Sequence, residues 1–319
     1  MSFPRKRESR KMEQLRIYTD LLRRYYLMMN SPFFLVFTDL DGTLLDHNTY
    51  GWKEAIPALE LCRTRGVPVI LVSSKTRTEM ALLRRRLSIS APFISENGGG
   101  VFFLKETFND PPSGSSPADM PGFSPEDSTG FSAWGEKGLW KLSLGVSYPR
   151  VIKAFQEIRN ELGWNMKGFS GMGVEEISRL TGLDKDGVRL ATMREYDEPF
   201  IIEGEEPTDL APLKRAAEQR GLSITSGGRF YHLQGKNDKG KGMALITEWY
   251  QEYHKEVLTV ALGDSPNDFG MLERADFPVL IRSQRSFPDL KKRIPGLRIT
   301  DDIGPKGWNS AVLSILNKN

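Results

Sequence analysis

Residues 33–45 read FFLVFTDLDGTLL, and how this stretch is read decides the fold. Phe33 to Thr38 form an unbroken β-favouring apolar run. A strand buried on both faces of a parallel sheet has that character, whereas a strand with one wet face alternates. The run ends in Asp39-Leu40-Asp41-Gly42-Thr43, with two carboxylates two residues apart where the chain turns through glycine. Moving outward, Ala55, Leu59 and Cys62 give one apolar face to a helix that stops at Gly66. VPVILVSS (67–74) is a second buried strand, a basic helix runs through Arg86, and PFISENGGG (92–100) holds a third strand. Far along the chain the pattern returns, with a helix through Trp249 and the runs VLTVALGD (257–264) and FPVLI (277–281). Strand alternating with helix predicts an α/β fold with a doubly wound, Rossmann-like parallel sheet.

Between these halves the alternation breaks. Residues 109–130 contain five prolines and no Leu, Ile or Val, so they are expected to form a mobile loop. A strand over 139–148, helices over 149–162, 174–194 and 208–220, and strands at 199–204 and near Ile224 then predict a compact α/β insert. The expected organisation is a core of residues 31–100 and 228–319, an inserted α/β cap of residues 101–227, and a basic leader of residues 1–30. Gly98-Gly99-Gly100 reads as a hinge into the insert.

The 319 residues carry 44 Lys and Arg against 41 Asp and Glu, a formal charge of +3. Eight bases and three acids fall in the leader, so the other 289 residues carry −2. That balance argues against a nucleic-acid partner, since the body lacks the basic excess such binding draws on. The leader is expected to be helical or disordered, and Met28 and Met29 mark a second place where the chain is able to start. It lacks the apolar core and cleavage site of a secretory signal. No run approaches the roughly 20 apolar residues of a membrane span. A lone cysteine, Cys62, excludes an internal disulfide, and a cytoplasmic protein is expected.

In an open α/β sheet, ligands bind beyond the carboxyl ends of the strands. There the chain places Asp39 and Asp41, then Ser73 and Ser74, then Asp264 and Asp268 in GDSPND, while Lys239 opens a helix after a loop. Four acids, a hydroxyl and a lysine thus converge on one edge. Clustered ionised carboxylates repel one another unless a cation joins them, and oxygen ligands alone favour Mg²⁺. A carboxylate in such a site is able to act as a nucleophile toward phosphorus. Phosphoryl transfer fits this inventory. GKNDKGK (235–241) fits the frame of a nucleotide-binding loop, but Gly242 stands where that loop needs Ser or Thr.

DLDGTLL (39–45), Ser74, Lys239 in NDKGKGMAL and GDSPNDFGML (263–272) resemble the four motifs of the haloacid dehalogenase superfamily, in their usual order. The resemblance implies that Asp39 is the nucleophile, that Asp41 is first general acid and then general base, and that Ser74 and Lys239 bind phosphoryl oxygens. It also implies Mg²⁺ held by the Asp39 carboxylate, the Asp41 backbone carbonyl and Asp264, with Asp268 supporting the shell through water. An acid at Asp41 favours a hydrolase, and a cap over the site favours a small phosphorylated metabolite.

A narrower resemblance runs from about Phe33 to the end, to the mannosyl-3-phosphoglycerate phosphatase family. FTDLDGTLLDHNTY (37–50), SSKTRTEM (73–80), PFISENGGG, REYDEPF (194–200), GRFYHLQG (228–235) and GPKGWN (304–309) carry it. It implies hydrolysis of mannosyl-3-phosphoglycerate to mannosylglycerate; glucosyl-3-phosphoglycerate, sucrose phosphate or another sugar phosphate are alternatives. A different class, a non-enzymatic protein binding through its leader, would call for a damaged catalytic set, and none is seen. A substrate with a phosphate and a carboxylate needs cations and hydroxyls. Lys75, Thr76, Arg77, Arg194 and Arg229 are the candidates, with Glu195 and Glu198 for sugar hydroxyls. His232 is expected to be structural.

Overall fold

A computed structural model describes residues 32–104, 131–133, 138–204, 207–227 and 229–318. The leader and the loop expected at 109–130 lie outside the described residues. The described residues begin with strand β1 (Phe33–Thr38), helix α1 (Ile56–Arg65), β2 (Val69–Val72), α2 (Arg77–Leu87), β3 (Phe93–Ser95) and β4 (Gly100–Leu104). It continues through β5 (Phe131–Ala133), β6 (Leu139–Ser143), α3 (Tyr148–Leu162), β7 (Met166–Gly168), α4 (Val174–Thr181) and α5 (Lys185–Ala191). Next come β8 (Asp197–Ile202), α6 (Ala211–Glu218), β9 (Ser223–Gly227), β10 (Phe230–Gln234), α7 (Lys239–Gln251) and β11 (Val257–Gly263). The last elements are α8 (Phe269–Leu272), β12 (Phe277–Arg282), α9 (Leu290–Arg293), β13 (Arg298–Ile303) and α10 (Gly304–Leu316).

A nine-stranded sheet runs β13-β12-β11-β1-β2-β3-β4-β6-β5. From β13 to β3 the neighbours are parallel, and β1 lies between β11 and β2. Because strand side chains alternate, Phe34 and Val36 point to one face and Leu35 and Phe37 to the other. On the first face they meet Ala58 and Cys62 of α1, Met80 of α2 and Trp308 of α10. On the second they meet Met243 and Ile246 of α7 and Met271 and Leu272 of α8. Helices cover both faces, which is why β1 tolerates no polar alternation.

A second, antiparallel sheet runs β7-β8-β10-β9. One face packs on α3 and α6 through Phe155, Ile158, Phe200, Leu213 and Leu233. His232 pairs in register with Pro199, and alternation turns both away from that core.

The expected insert boundaries need correction at both ends. β4 pairs antiparallel with β3 and with β6, so residues 100–104 and 139–143 extend the central sheet. β10 pairs with β8 and β9, so residues 230–234 belong to the second sheet. The Gly98–Gly100 run is a packed turn rather than a hinge into that sheet. Gly98 has φ +93, and a Cβ there would stand 2.2 Å from the Asp238 carbonyl oxygen; one at Gly99 would stand 2.5 Å from Tyr196 Cβ.

Candidate active site

The carboxyl ends of β1, β2 and β11 meet at one pocket, as the parallel sheet requires. Trp308 Nε1 donates to Thr38 Oγ1 at 2.9 Å, and the Asp39 N–H donates to the Leu262 carbonyl at 2.9 Å. These bonds hold Asp39 at the strand end. Gly42 turns the chain with φ +81, and a Cβ there would stand 2.9 Å from Asp264 Oδ2. Only glycine lets the first loop pass so close to the acid of β11.

Lys239 opens α7, whose N-cap Asp238 accepts the Lys241 N–H at 2.9 Å. Its side chain is fully buried, with Nζ 2.5 Å from Asp39 Oδ1 and 2.6 Å from Asp268 Oδ1. The other Asp268 oxygen, Oδ2, accepts the N–H groups of Asp264 and Ser265 at 3.0 Å each, which fixes the turn after β11. Asp41 Oδ2 pairs with Lys75 Nζ at 2.8 Å, and its buried Oδ1 has no hydrogen-bond partner among the described residues.

One oxygen from each of Asp39, Asp264 and Asp268 lies within 4.8 Å of the others. Burial lifts Asp39 well above its ordinary range; Lys239 opposes this, and the charges of Asp268 and Asp264 add to it. Burial and the Asp268 charge push Asp264 up to about 7. Burial alone would lower Lys239, but Asp268 and Asp39 hold it above its ordinary value. Three crowded, oxygen-only donors are able to hold a hard metal ion.

Asp39, Asp41, Ser74, Asp264, Lys75, Arg194 and Arg229 all line the pocket. Lys239 and Asp268 stand behind that wall and complete it through Asp39. Four expected substrate residues do not reach it. Thr76 caps α2 in a Thr-x-x-Glu box and donates to the Leu190 carbonyl at 2.9 Å. Arg77 pairs with Glu195 at 2.9 Å, and Glu195 also takes Lys141. Glu198 is fully buried, accepting from Tyr148 Oη at 2.6 Å and from the Ser170 N–H at 2.9 Å. Each carries the charge or hydroxyl that such a substrate needs, and each engages another group of the protein instead.

The pocket is also lined by Ser73, and by His47, Tyr50, His232 and Asn267, which lie outside the expected site set. Tyr50 reaches across from the first loop, where Oη donates to the Thr181 carbonyl at the end of α4 at 3.2 Å. Ser73 shares the strand-end signal already read at Ser74. Tyr50 and His47 carried no such signal, since a turn set by Asp46 bonding to Thr49 brings them in.

A buried acid, Glu96, joins the two sheets. Its carboxylate accepts the N–H groups of Glu195, Tyr196 and Asp197 at 2.7–3.1 Å. Burial alone would raise Asp197, but Arg194 and His232 hold it below its ordinary range.

A doubly wound sheet with paired aspartates after its first strand, a buried lysine and an acidic triad defines a hydrolase of the haloacid dehalogenase type. A family model described as haloacid dehalogenase-like hydrolase matches residues 36–110. The chain is 40% identical over 291 residues to a glucosyl-3-phosphoglycerate/mannosyl-3-phosphoglycerate phosphatase of Persephonella marina, covering 89% of this chain and 97% of that protein. It is 37% identical to the protein of the same name from Methanococcoides burtonii, covering 89% and 98%. A crystal structure from Thermoplasma acidophilum, 20% identical, shares the fold with a TM-score of 0.59 over 90% of this chain and 98% of that one. The chain belongs to the glucosyl-3-phosphoglycerate and mannosyl-3-phosphoglycerate phosphatase family of haloacid dehalogenase-like hydrolases.

Proposed function

We propose that this protein is a Mg²⁺-dependent phosphatase that hydrolyses mannosyl-3-phosphoglycerate to mannosylglycerate and phosphate, and takes the glucosyl compound as well. The observation that carries the reading is the meeting of Asp39, Asp41, Asp264 and Lys239 at one strand-end pocket. The names of its relatives support the substrate. Asp39 and Asp264 would hold Mg²⁺ with the Asp41 carbonyl, while Asp268 is engaged by Lys239 and the turn. When bound, the ion supplies Lewis-acid polarisation of phosphoryl oxygens.

The chemistry of the chain's own groups then follows. An Asp39 oxygen attacks phosphorus, the ester P–O bond breaks, and Asp41 gives its proton to the departing alkoxide. Asp41 next takes a proton from water, whose oxygen attacks the aspartyl-phosphate, releasing phosphate and restoring Asp39. The unpartnered Asp41 Oδ1 is the oxygen left for that proton. Lys239 holds Asp39 in place, Ser74 sits among the phosphoryl ligands, and Lys75, Arg194 and Arg229 supply positive charge on the pocket wall. A lone buried thiol at Cys62 fits work in the cytoplasm.

A turnover panel with Mg²⁺ tests the substrate: mannosyl- and glucosyl-3-phosphoglycerate, sucrose phosphate and hexose phosphates. Equal or better turnover of simple hexose phosphates would overturn it. Asp39→Asn is expected to lower phosphate release by about 10³-fold or more, as loss of a nucleophile does; an unchanged rate would remove Asp39 from that role.

A further inference from the structure

Asp197 lies at the start of β8, fully buried, and is not itself part of the pocket lining. Both of its oxygens are nonetheless directed at residues that are. Oδ1 accepts from Arg194 Nη1 at 2.8 Å, and Oδ2 lies 2.8 Å from His232 Nδ1. A carboxylate only accepts, so Nδ1 carries the hydrogen, and Nε2 is the ring nitrogen left for the pocket.

Arg194 is nearly as well fixed. Nε donates to the Ala191 carbonyl at 2.9 Å, and Nη1 also donates to the Ser74 carbonyl at 2.7 Å. Nη2 has no protein partner among the described residues, and the side chain lines the pocket at 6% exposure. The two other pocket cations differ. Lys75 is paired with Asp41, and Arg229 is exposed, with Nη1 on the Leu180 carbonyl. Arg194 is therefore the pocket cation that is both buried and open on one edge of its fork, where a charge acts most strongly.

We propose that Asp197 is the positioning residue of a second anion subsite, in which Arg194 Nη2 binds the carboxylate that accompanies the phosphoryl group and His232 Nε2 hydrogen-bonds a neighbouring hydroxyl. The inference rests on the substrate class proposed above and assigns a binding role to His232. Arg194 lies just before β8 and His232 on β10 of the second sheet, while the acids that act on phosphorus follow strands of the first. Reacting and non-reacting ends of one ligand thus meet different sheets.

Isothermal titration calorimetry of the full chain with Mg²⁺ tests this, using 3-phosphoglycerate and glycerol 3-phosphate, which differ in the carboxylate. The native protein is expected to bind 3-phosphoglycerate about tenfold tighter, the scale of one charged hydrogen bond. Asp197→Asn and Arg194→Lys are expected to shrink that ratio to about twofold. His232→Gln weakens both ligands and keeps the ratio, because both carry a hydroxyl. No preference in the native protein, or a full preference in folded Asp197→Asn, would overturn the proposal. If Asp197→Asn fails to fold by circular dichroism, Arg194→Lys decides. Neither ligand contains a sugar, so a failed glycosyl panel with an intact ratio counts against the proposed substrate alone.

Discussion

Lys239 is charged at zero exposure because Asp39 and Asp268 meet its ammonium from two sides. Asp264 stands beside them, and burial with the Asp268 charge pushes it up to about 7 although Lys239 opposes this. Protons and a metal ion therefore compete for Asp264 near neutrality. The Mg²⁺ concentration for half-maximal activity is expected to rise as pH falls below about 7 and to level off above it; a flat dependence from pH 6 to 8 would contradict this. Burial raises Cys62 as well. At 1% exposure its thiol is pushed by burial from an ordinary 9.0 up to about 12. An acid raised on folding adds no destabilisation below its unfolded value and weakens the fold as pH climbs from about 9 toward 12. At pH 8 the native thiol should resist iodoacetamide and react fully once urea unfolds the chain. The acids of the site were legible because each ends a buried strand or opens a helix. Thr76 stands outside the pocket lining as the cap of α2, and Thr76-x-x-Glu79 is itself a helix-start signature. Glu195 and Glu198 also stand outside the lining, since a sequence shows a charge but not which group of the fold it answers.

At the scale of elements, the turn from β3 to β4 shows a glycine requirement of two kinds. Gly98 combines φ +93 with a Cβ position 2.2 Å from the Asp238 carbonyl oxygen, just before the helix that carries Lys239. Gly66 ends α1 with φ +67 and nothing within 4 Å. Gly66→Ala is expected to cost about 1 kcal/mol, the strain of the left-handed conformation alone. Gly98→Ala should cost about 2 kcal/mol or more, because backbone must also move. Urea denaturation of the pair measures the difference, and equal losses would mean that the turn yields freely. The same turn explains the misplaced insert boundary. GVFFL and LWKLS are apolar runs that read alike in either sheet, and only hydrogen bonding to β3 assigns them to the first.

On the scale of the whole molecule, the parallel half of the sheet was legible because burial on both faces leaves a mark in every strand, as β1 does with Leu35 and Phe37 on one side and Phe34 and Val36 on the other. The relation between the sheets was not, since the groups that join them, Glu96 among them, lie far from their partners in sequence. Glu96 reaches from the end of β3 and takes three successive N–H groups at the entrance to β8. Those three amides make a built-in gauge of separation. They are shielded while the second sheet rests on the first, and they meet solvent whenever it lifts, even if neither sheet unravels. Deuterium uptake at Glu195, Tyr196 and Asp197 is therefore expected to outpace that at Tyr231 and Leu233 in the second sheet's interior pairing. Saturating phosphate with Mg²⁺ should slow the first group and leave the second unchanged. If both slow together, the sheets open only by unfolding.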